Sequence, residues 1–221
     1  MVHRINMVYG VHKGDLPRKI DSMIIRPLTV FEREAVRNFY LALSPDDRRK
    51  RFCCSLSDGT ISSYVDGLNF TRDTILGAFD EQAQLIGLAE LVRGAEASEM
   101  AFSVRPDKRG QKIGTMLMER LLSRARMCGA KKVFVMFLSD NTPMRRMALR
   151  AGMSVQTAGG ESHAARELLP ASAQELTRWF LEEGLAHSGY FNTLGMAQWS
   201  SLVNRLASTT PKRIRSLAPT V

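Results

Sequence analysis

The sequence SEMAFSVRPDKRGQKIGTMLMERLLSRARMCG, residues 98–129, decides the fold because it joins an alternating strand to an amphipathic helix through a basic turn. Residues 98–104 alternate between apolar side chains and polar or small ones, which is the period-2 pattern of a strand. Pro106 has no backbone N–H to give to a ladder, so the strand should end just before it. Apolar side chains then recur at helical spacing up to Cys128, and Gly129 supplies a C-terminal cap.

The turn between this strand and this helix has the features of an anion-binding site. A helix start exposes unpaired backbone N–H groups and the positive end of the peptide dipoles, which suit a phosphate or pyrophosphate. Gly110 and Gly114 allow close approach of the backbone, and Lys108, Arg109 and Lys112 add positive charge. The alternative interpretation is an ordinary strand–turn–helix unit with a solvated basic loop, because glycine-containing turns are common.

Residues 104–114, VRPDKRGQKIG, resemble the acetyl-CoA pyrophosphate loop of the GNAT (Gcn5-related) N-acetyltransferase family, whose pattern is Gln/Arg-x-x-Gly-x-Gly/Ala. Arg109, Ile113 and Gly114 are in register with that pattern, whereas Lys112 replaces its first glycine. If this position requires a positive φ, the lysine costs stability or affinity, and its side chain must fit beside the phosphates or contact them itself. The resemblance implies contacts to acetyl-CoA from Phe102, Val104, Arg109, Gly110, Gln111, Lys112, Ile113, Gly114, Thr115 and Asn141.

The other predicted elements follow the GNAT order over about residues 23–169. A short strand at 22–26 precedes a helix that starts at the capping box of Thr29 and Glu32, with Phe31 at the beginning of its apolar stripe. The remaining predictions are a helix from Ser44, a helix in 57–67, strands at 74–79, 84–93 and 133–138, a helix after Asn141 and a hairpin in 155–169. The resemblance thus implies an α/β (α+β) GNAT fold, a mixed, mostly antiparallel sheet flanked by helices.

Two details of this arrangement follow from the pattern. The strand at 98–104, the crossover helix and the strand at 133–138 should form a parallel pair with a right-handed crossover. The continuous apolar run at 133–138 predicts a strand that is buried on both faces. Residues 44–52, SPDDRRKRF, and the SEMAFSV strand also resemble GNAT domains of bacterial protein-lysine acetyltransferases.

Length and charge limit the function further. The chain has 221 residues and a formal charge of +9, which favours an anionic ligand, an acidic partner surface or nucleic acid. Aromatic residues make up only 7% and do not interleave with the basic clusters, which argues against a dedicated nucleic-acid surface. The three cysteines match no disulfide framework or metal spacing and suggest a reducing cytoplasm. No apolar run approaches the roughly 18 residues needed to span a bilayer. We expect no bound metal.

We expect three regions along the chain: an N-terminal extension at 1–21, the acetyltransferase domain at 22–169 and a helical C-terminal extension at 170–221. Residues 173–185 and 198–206 have amphipathic patterns that include Trp179 and Trp199. Their apolar faces need cover, either from the domain itself or from a second subunit in a homodimer. The basic residues of 209–221 form a tail.

Acetyl transfer to an amine needs a base, a donor to the thioester carbonyl and an acid for the leaving thiolate. The four histidines lie outside the predicted central sheet, so carboxylates are the candidates. Glu99 lies on the polar face of its strand and aligns with the glutamate base of the resembling protein acetyltransferases. Glu90 is the rival, because it shares a face with apolar neighbours that would desolvate it and raise its pKa. Each residue also has a purely structural interpretation: Glu99 could be a surface charge at the end of a hairpin, and Glu90 could form an ion pair with a nearby arginine.

The sequence offers a candidate for the donor to the thioester carbonyl but none for the acid that protonates the leaving thiolate. In the resembling enzymes the backbone N–H at the position of Val104 polarises the thioester. The family's tyrosine acid falls on Ala148 here, and Asn141 serves either as a cofactor contact or as a helix N-cap. We expect direct attack of an amine, a protein lysine or a small amine, on acetyl-CoA, because no cysteine lies in the loop. The alternatives are a non-catalytic acyl-CoA-binding or regulatory module and a nucleic-acid or partner-docking role for the basic surface and the C-terminal helices. A polycationic acceptor would need Glu81, Glu90, Glu96 and Glu99 to gather near the cleft.

Overall fold

The computed structural model describes residues 23–172, so the predictions for 1–21, 173–185, 198–206 and the basic tail lie outside the described residues. The strands are β1 Ile24–Pro27, β2 Thr74–Phe79, β3 Leu85–Val92, β4 Ser98–Val104, β5 Lys132–Leu138, β6 Ser154–Ala158 and β7 Glu161–Glu167. The helices are α1 Arg33–Leu41, α2 Pro45–Phe52, α3 Asp58–Asp66, α4 Ile113–Met127 and α5 Thr142–Arg150, with 3-10 turns at Val30–Glu32 and Pro106–Lys108.

The strands form one seven-stranded sheet in the order β1-β2-β3-β4-β5-β7-β6. Every neighbouring pair is antiparallel except β4 and β5, which are parallel and joined by the crossover helix α4. The predicted mixed, mostly antiparallel α/β fold is therefore confirmed, as is the parallel pair.

Local sequence signals set the helix ends. The Thr29–Glu32 capping box forms. Ser44 accepts a hydrogen bond from the Asp47 backbone N–H at 3.2 Å at the start of α2, where Pro45 occupies the first helical position. Gly129, with φ +76°, follows the last turn of α4. The predicted single helix after Thr29 is wrong in detail, because the chain first makes a 3-10 turn and leaves Phe31 93% exposed.

Two apolar clusters cover the two faces of the sheet. One lies under α4 and α5, where Leu117 and Leu121 are fully buried and each contributes about 2 kcal/mol of hydrophobic stabilisation. The other lies under α1 and α3 on the opposite face and includes Val36, Ile61 and Leu88. Among the described residues, α1 and α3 cover the β2–β3 half of this face of the sheet, and α2 reaches β4 and β5.

The burial of β5 corrects one prediction. Val133, Val135 and Phe137 of β5 are buried against the α4 side, but Phe134 is half-buried and Met136 is 45% exposed. The strand is therefore buried on one face only. The expectation that every histidine lies outside the sheet is wrong for His163, which is in β7 and stacks on the Phe134 ring at 5.2 Å between centroids.

The pairing of β4 with β5 stops early and creates a cleft. Only Ser98↔Val133 and Glu99↔Phe134 are paired, although both strands are seven residues long. β5 continues in register with β7 along its whole length, so residues 100–104 of β4 separate from it. We call the space between residues 100–104 and 135–138 the β4–β5 cleft. Its open end leads into the basic turn before α4.

Candidate active site

The basic turn folds as a loop that presents the start of α4 beside the β4–β5 cleft. Gly110 has φ +77°, and a Cβ added there would meet no atom within 4 Å, so its backbone lies in open space. Lys112 is the N-cap of α4, and no side chain caps the helix start. The first-turn N–H groups of α4 therefore have no side-chain cap, which is the local geometry that an anion site at a helix start needs.

Lys112 adopts the backbone conformation of the glycine that it replaces. Its φ of +62° and ψ of 8° lie in the left-handed region, which costs a residue with a Cβ about 1–2 kcal/mol. The cost expected for Lys112 depended on a positive φ at this position, and the structure has one. The side chain is exposed and makes no hydrogen bond or ion pair with another described residue.

The other basic side chains of the loop are engaged within the protein. Three ion pairs hold them: Arg105 with Asp107 at 3.0 Å, Lys108 with Asp80 at 3.1 Å, and Arg109 with Asp47. Burial opposes ionisation of Asp80, but the backbone N–H of Gln84 and the Lys108 ammonium hold the pKa of this carboxyl below its ordinary value. These pairs fix the shape of the loop and leave Lys112 as its uncommitted charge.

Arg109 connects the loop to two other elements. Its Nε donates to the Val104 carbonyl at 3.3 Å, and its Nη2 contacts Oδ1 of Asp47, which is buried in the first turn of α2. The structure thus places Arg109 as a brace between β4, the loop and α2. Asp47 is a site residue that the sequence showed only as a first-turn acid, because a contact across 62 residues leaves no local pattern.

The cleft is lined by the free side of β4. The Arg105 N–H donates to the Ile86 carbonyl of β3 at 3.0 Å. Because donors alternate along a strand, the N–H of Val104 points away from β3 and towards the β4–β5 cleft. A donor beyond the end of the β4–β5 ladder is suited to an acyl carbonyl.

The predicted cofactor residues from Phe102 to Thr115 form one continuous stretch, but they cannot all offer side chains. Ile113 is buried in the core, so only its backbone can face a ligand. A Cβ on Gly114 would lie 3.3 Å from the Met147 Sδ, which shows that α5 packs against the first turn of α4. Asn141 caps α5 by accepting from the Met144 N–H at 3.2 Å, which is its predicted structural alternative.

The two candidate bases occupy different environments. Glu99 is exposed on β4, opposite Phe134 at the last paired position of the cleft. Glu90 is buried in β3, and its Oε2 accepts from Arg51 Nη2 at 2.8 Å. The hydroxyls of Tyr40 and Tyr64 also donate to the Glu90 carboxylate. The structure therefore gives Glu90 the arginine pair and leaves Glu99 accessible.

The cluster around Glu90 could not be read from the sequence. Its arginine lies on the basic helix α2, where it resembles one more solvated charge, yet the Arg51 guanidinium stacks 4.6 Å from the Phe52 ring centroid inside the protein. Burial raises the pKa of both Tyr40 and Tyr64, with Arg51 opposing and Glu90 adding to the shift. Both phenols therefore remain protonated donors at neutral pH.

The four glutamates needed for a polycationic acceptor do not gather. Glu81 lies in the β2–β3 turn and Glu96 in the β3–β4 turn, at opposite ends of β3, and the charge of Glu90 is balanced by Arg51.

Within residues 23–172, no group of three or more His, Cys, Asp or Glu residues could hold a metal ion. In the same part of the chain, no helix is long and apolar enough to cross a membrane.

Comparison with known proteins places this geometry among acetyltransferases. The model of the "Acetyltransferase (GNAT) family" matches residues 32–153. No curated protein matches the chain by sequence. Similar solved structures include the GNAT domain of PAT from S. lividans, which is 21% identical with a TM-score of 0.56 and covers 65% of this chain and 89% of its own.

Two further structures share the fold. Spermidine N-acetyltransferase from Vibrio cholerae, solved with CoA and spermine, is 15% identical with a TM-score of 0.53 and covers 66% of this chain and 96% of its own. A GNAT-family acetyltransferase from Staphylococcus aureus is 12% identical with a TM-score of 0.56 and covers 67% and 100%. At these identities the likeness establishes the fold alone.

Proposed function

The chain belongs to the GNAT family of acetyltransferases, and we propose that residues 22–169 transfer an acetyl group from acetyl-CoA directly to an amine. The observation that carries this proposal is the early end of the β4–β5 ladder beside an uncapped helix start. The Val104 N–H points towards the β4–β5 cleft, and a Cβ on Gly114 in the first turn of α4 would lie 3.9 Å from Val104 Cγ2, so the two sets of donors are neighbours. A thioester and a diphosphate on one ligand need these two kinds of donor.

The residues of the loop fit such a ligand. The N–H groups of Ile113 and Gly114 and the ammonium of Lys112 would hold the diphosphate, and Gly110 leaves open space beside it. Acetyl-CoA supplies an activated acyl group. The Val104 N–H would donate to the acyl oxygen and so stabilise the charge that develops there as the amine attacks.

Glu99 is the proposed base. Its carboxylate is exposed at the inner end of the cleft, where it can take a proton from an acceptor ammonium. Ala148, which is buried in the core, stands at the position of the family's tyrosine, and its methyl side chain has no acidic proton to give to the leaving thiolate. Solvent is the proton source that we assign to this step.

Direct transfer is favoured over a covalent enzyme intermediate. Burial raises the pKa of the Cys53 thiol above its ordinary value, and the nearby carboxylates of Glu161 and Glu99 add to this shift while Arg51 opposes it. A thiol that stays protonated at neutral pH is a poor nucleophile. Cys128 lies at the far end of α4 from the loop.

The second candidate function is a non-catalytic acyl-CoA-binding or regulatory module. Two observations favour it: the strained left-handed Lys112 in the phosphate loop, and the buried Ala148 where a proton donor would stand. In this case the cleft would bind the ligand without turnover.

The experiment that separates these functions has two steps. Calorimetric titration of acetyl-CoA into the full chain should show saturable binding, and release of free CoA should then be followed with lysine-containing peptides, polyamines and small primary amines. Acetylated acceptor, identified by mass spectrometry, supports the enzyme. Saturable binding without transfer to any acceptor supports the binding module. Absence of binding at millimolar acetyl-CoA overturns both.

A further inference from the structure

We propose that Glu161 of β7 is a specificity-determining residue of the acceptor site, and that it selects a linear acceptor with a second ammonium group, as in an α,ω-diamine. The inference rests on the proposed function and names its substrate class. It follows from a row of apolar side chains on β5 that has one carboxylate at each end.

The strand register builds this row. Phe134, Met136 and Leu138 alternate with the buried residues of β5 and so project to the same face of the sheet. Glu99 of β4 pairs with Phe134 on one side of β5. Glu161 of β7 pairs with Leu138 on the other side. Paired residues project to the same face, so both carboxylates flank the row, at positions about 13 Å apart along β5.

The row between the carboxylates is apolar and accessible. Met136 is 45% exposed, and Phe134 and Leu138 are half-buried. A methylene chain lying on these side chains would remove apolar surface from water on both molecules. The order of charge, apolar surface and charge therefore matches a methylene chain with an ammonium group at each end.

The two carboxylates have no partner that would compete with an ammonium group. Glu99 and Glu161 are exposed, and neither side chain makes a hydrogen bond or ion pair with another described residue. By contrast, Asp47 and Asp80 are each paired with a basic side chain of the phosphate loop. In a chain with a formal charge of +9, these uncommitted acids give the row the opposite sign from the loop.

The end of α2 shows that the two carboxylates border one region. Cys53 follows α2 directly. Burial raises the pKa of its thiol, and the charges of Glu161 and Glu99 add to this shift while Arg51 opposes it. A charge shifts the pKa of another group only when it is close to that group. Both carboxylates therefore lie near the Cys53 side chain, although they come from different strands.

The reaction gives the two carboxylates different roles. An acceptor ammonium gives one proton to Glu99, and the amine nitrogen then bonds to the acetyl carbon as the C–S bond of acetyl-CoA breaks. The nitrogen loses a second proton in this step, and the CoA thiolate takes one from solvent. Glu161 lies at the far end of the row from Glu99, so it pairs with the second ammonium, which stays charged throughout. An acceptor with a single amine leaves Glu161 unused.

The test compares two acceptors that differ in one terminal group. 1,8-Diaminooctane and 8-amino-1-octanol should each be given to the full chain with acetyl-CoA, and release of free CoA should be followed. We expect the wild type to have a kcat/KM per amine about 5- to 20-fold higher for the diamine, a range between an exposed ion pair and a charge-assisted hydrogen bond. Glu161→Gln should lose this preference through KM rather than kcat. Glu167→Gln, an exposed glutamate at the other end of β7, is the matched control and should keep it.

The outcomes separate this inference from the proposed function. Equal kcat/KM per amine for the two acceptors in the wild type overturns the inference alone, because acetyl transfer still occurs. The same conclusion follows if Glu161→Gln keeps the preference, or if Glu167→Gln loses it to the same extent. Transfer to lysine-containing peptides but to neither acceptor also overturns the inference and leaves the proposed function standing. If the wild type transfers acetyl to no acceptor, the proposed function fails and the inference fails with it.

Discussion

Arg51 and Glu90 form an ion pair of 2.8 Å between α2 and β3, with only 8% and 1% of their side chains exposed. This pair anchors α2, which carries four basic residues, to the interior of the sheet, where Tyr40 and Tyr64 complete the hydrogen bonds of the carboxylate. The same helix carries Asp47, the partner of Arg109 in the phosphate loop. One helix therefore connects the buried polar cluster to the candidate cofactor site.

This arrangement predicts that Glu90 acts in folding rather than as the base. Glu90→Gln leaves Arg51 as an uncompensated buried charge and should lower the free energy of unfolding by about 3–5 kcal/mol. The double variant E90Q/R51Q should recover part of this loss, as measured by urea denaturation. A Glu90→Gln protein with wild-type stability and no transferase activity would show that Glu90 is the base.

Glu99→Gln should have the opposite profile. The side chain is exposed, so stability should stay within about 0.5 kcal/mol of the wild type. The kcat should fall about 10²- to 10⁴-fold because the acceptor loses its general base, with little change in the KM for acetyl-CoA. Glu119→Gln, an exposed glutamate on α4, is the matched control. An unchanged kcat in the Glu99 variant would remove it from the mechanism.

Lys112 can be tested for strain and for charge separately. Lys112→Gly should raise the free energy of unfolding by about 1 kcal/mol, because glycine adopts φ +62° without a Cβ clash. Lys112→Ala keeps the strain and removes the charge, so it should not be stabilised. Both variants should bind CoA more weakly by a similar factor, measured calorimetrically at low salt. Wild-type affinity in both would show that the ammonium does not contact the ligand.

The parts of the fold that the sequence predicted correctly depend on local patterns. β4, α4 and the caps at Ser44 and Asn141 follow from alternation, helical spacing and capping chemistry over a few residues. The exposure of Met136 could not be read from an apolar run, because it depends on which helices reach that half of the sheet.

Residues of the candidate site were likewise predictable only where they lie close together in the sequence. The loop and the exposed Glu99 lie in one segment, so the sequence could bring them together. The partners of Glu90 come from α1, α2 and α3, up to 50 residues away in the chain, and no local pattern marks them. The substitution of Lys112 for glycine was visible in the sequence, but only the backbone shows that the loop keeps the glycine conformation.

The first turn of the domain should make stability depend on pH through Glu32. Burial favours its neutral form, but hydrogen bonds from Arg26 and from the Thr29 N–H at 3.0 Å lower the pKa of Glu32 below its ordinary value of 4.5. The folded state therefore binds this proton less readily than the unfolded state, so the contribution is complete above the unfolded pKa and is lost as the pH falls through the folded one. Glu32→Gln should be less stable than the wild type by about 1–3 kcal/mol at pH 7. The difference, measured by urea denaturation, should shrink between about pH 5 and pH 3.

Glu96→Gln, in the exposed β3–β4 turn, is the control and should keep the same stability difference from the wild type over this pH range. A gap between wild type and Glu32→Gln that stays constant down to pH 3 would contradict the assignment.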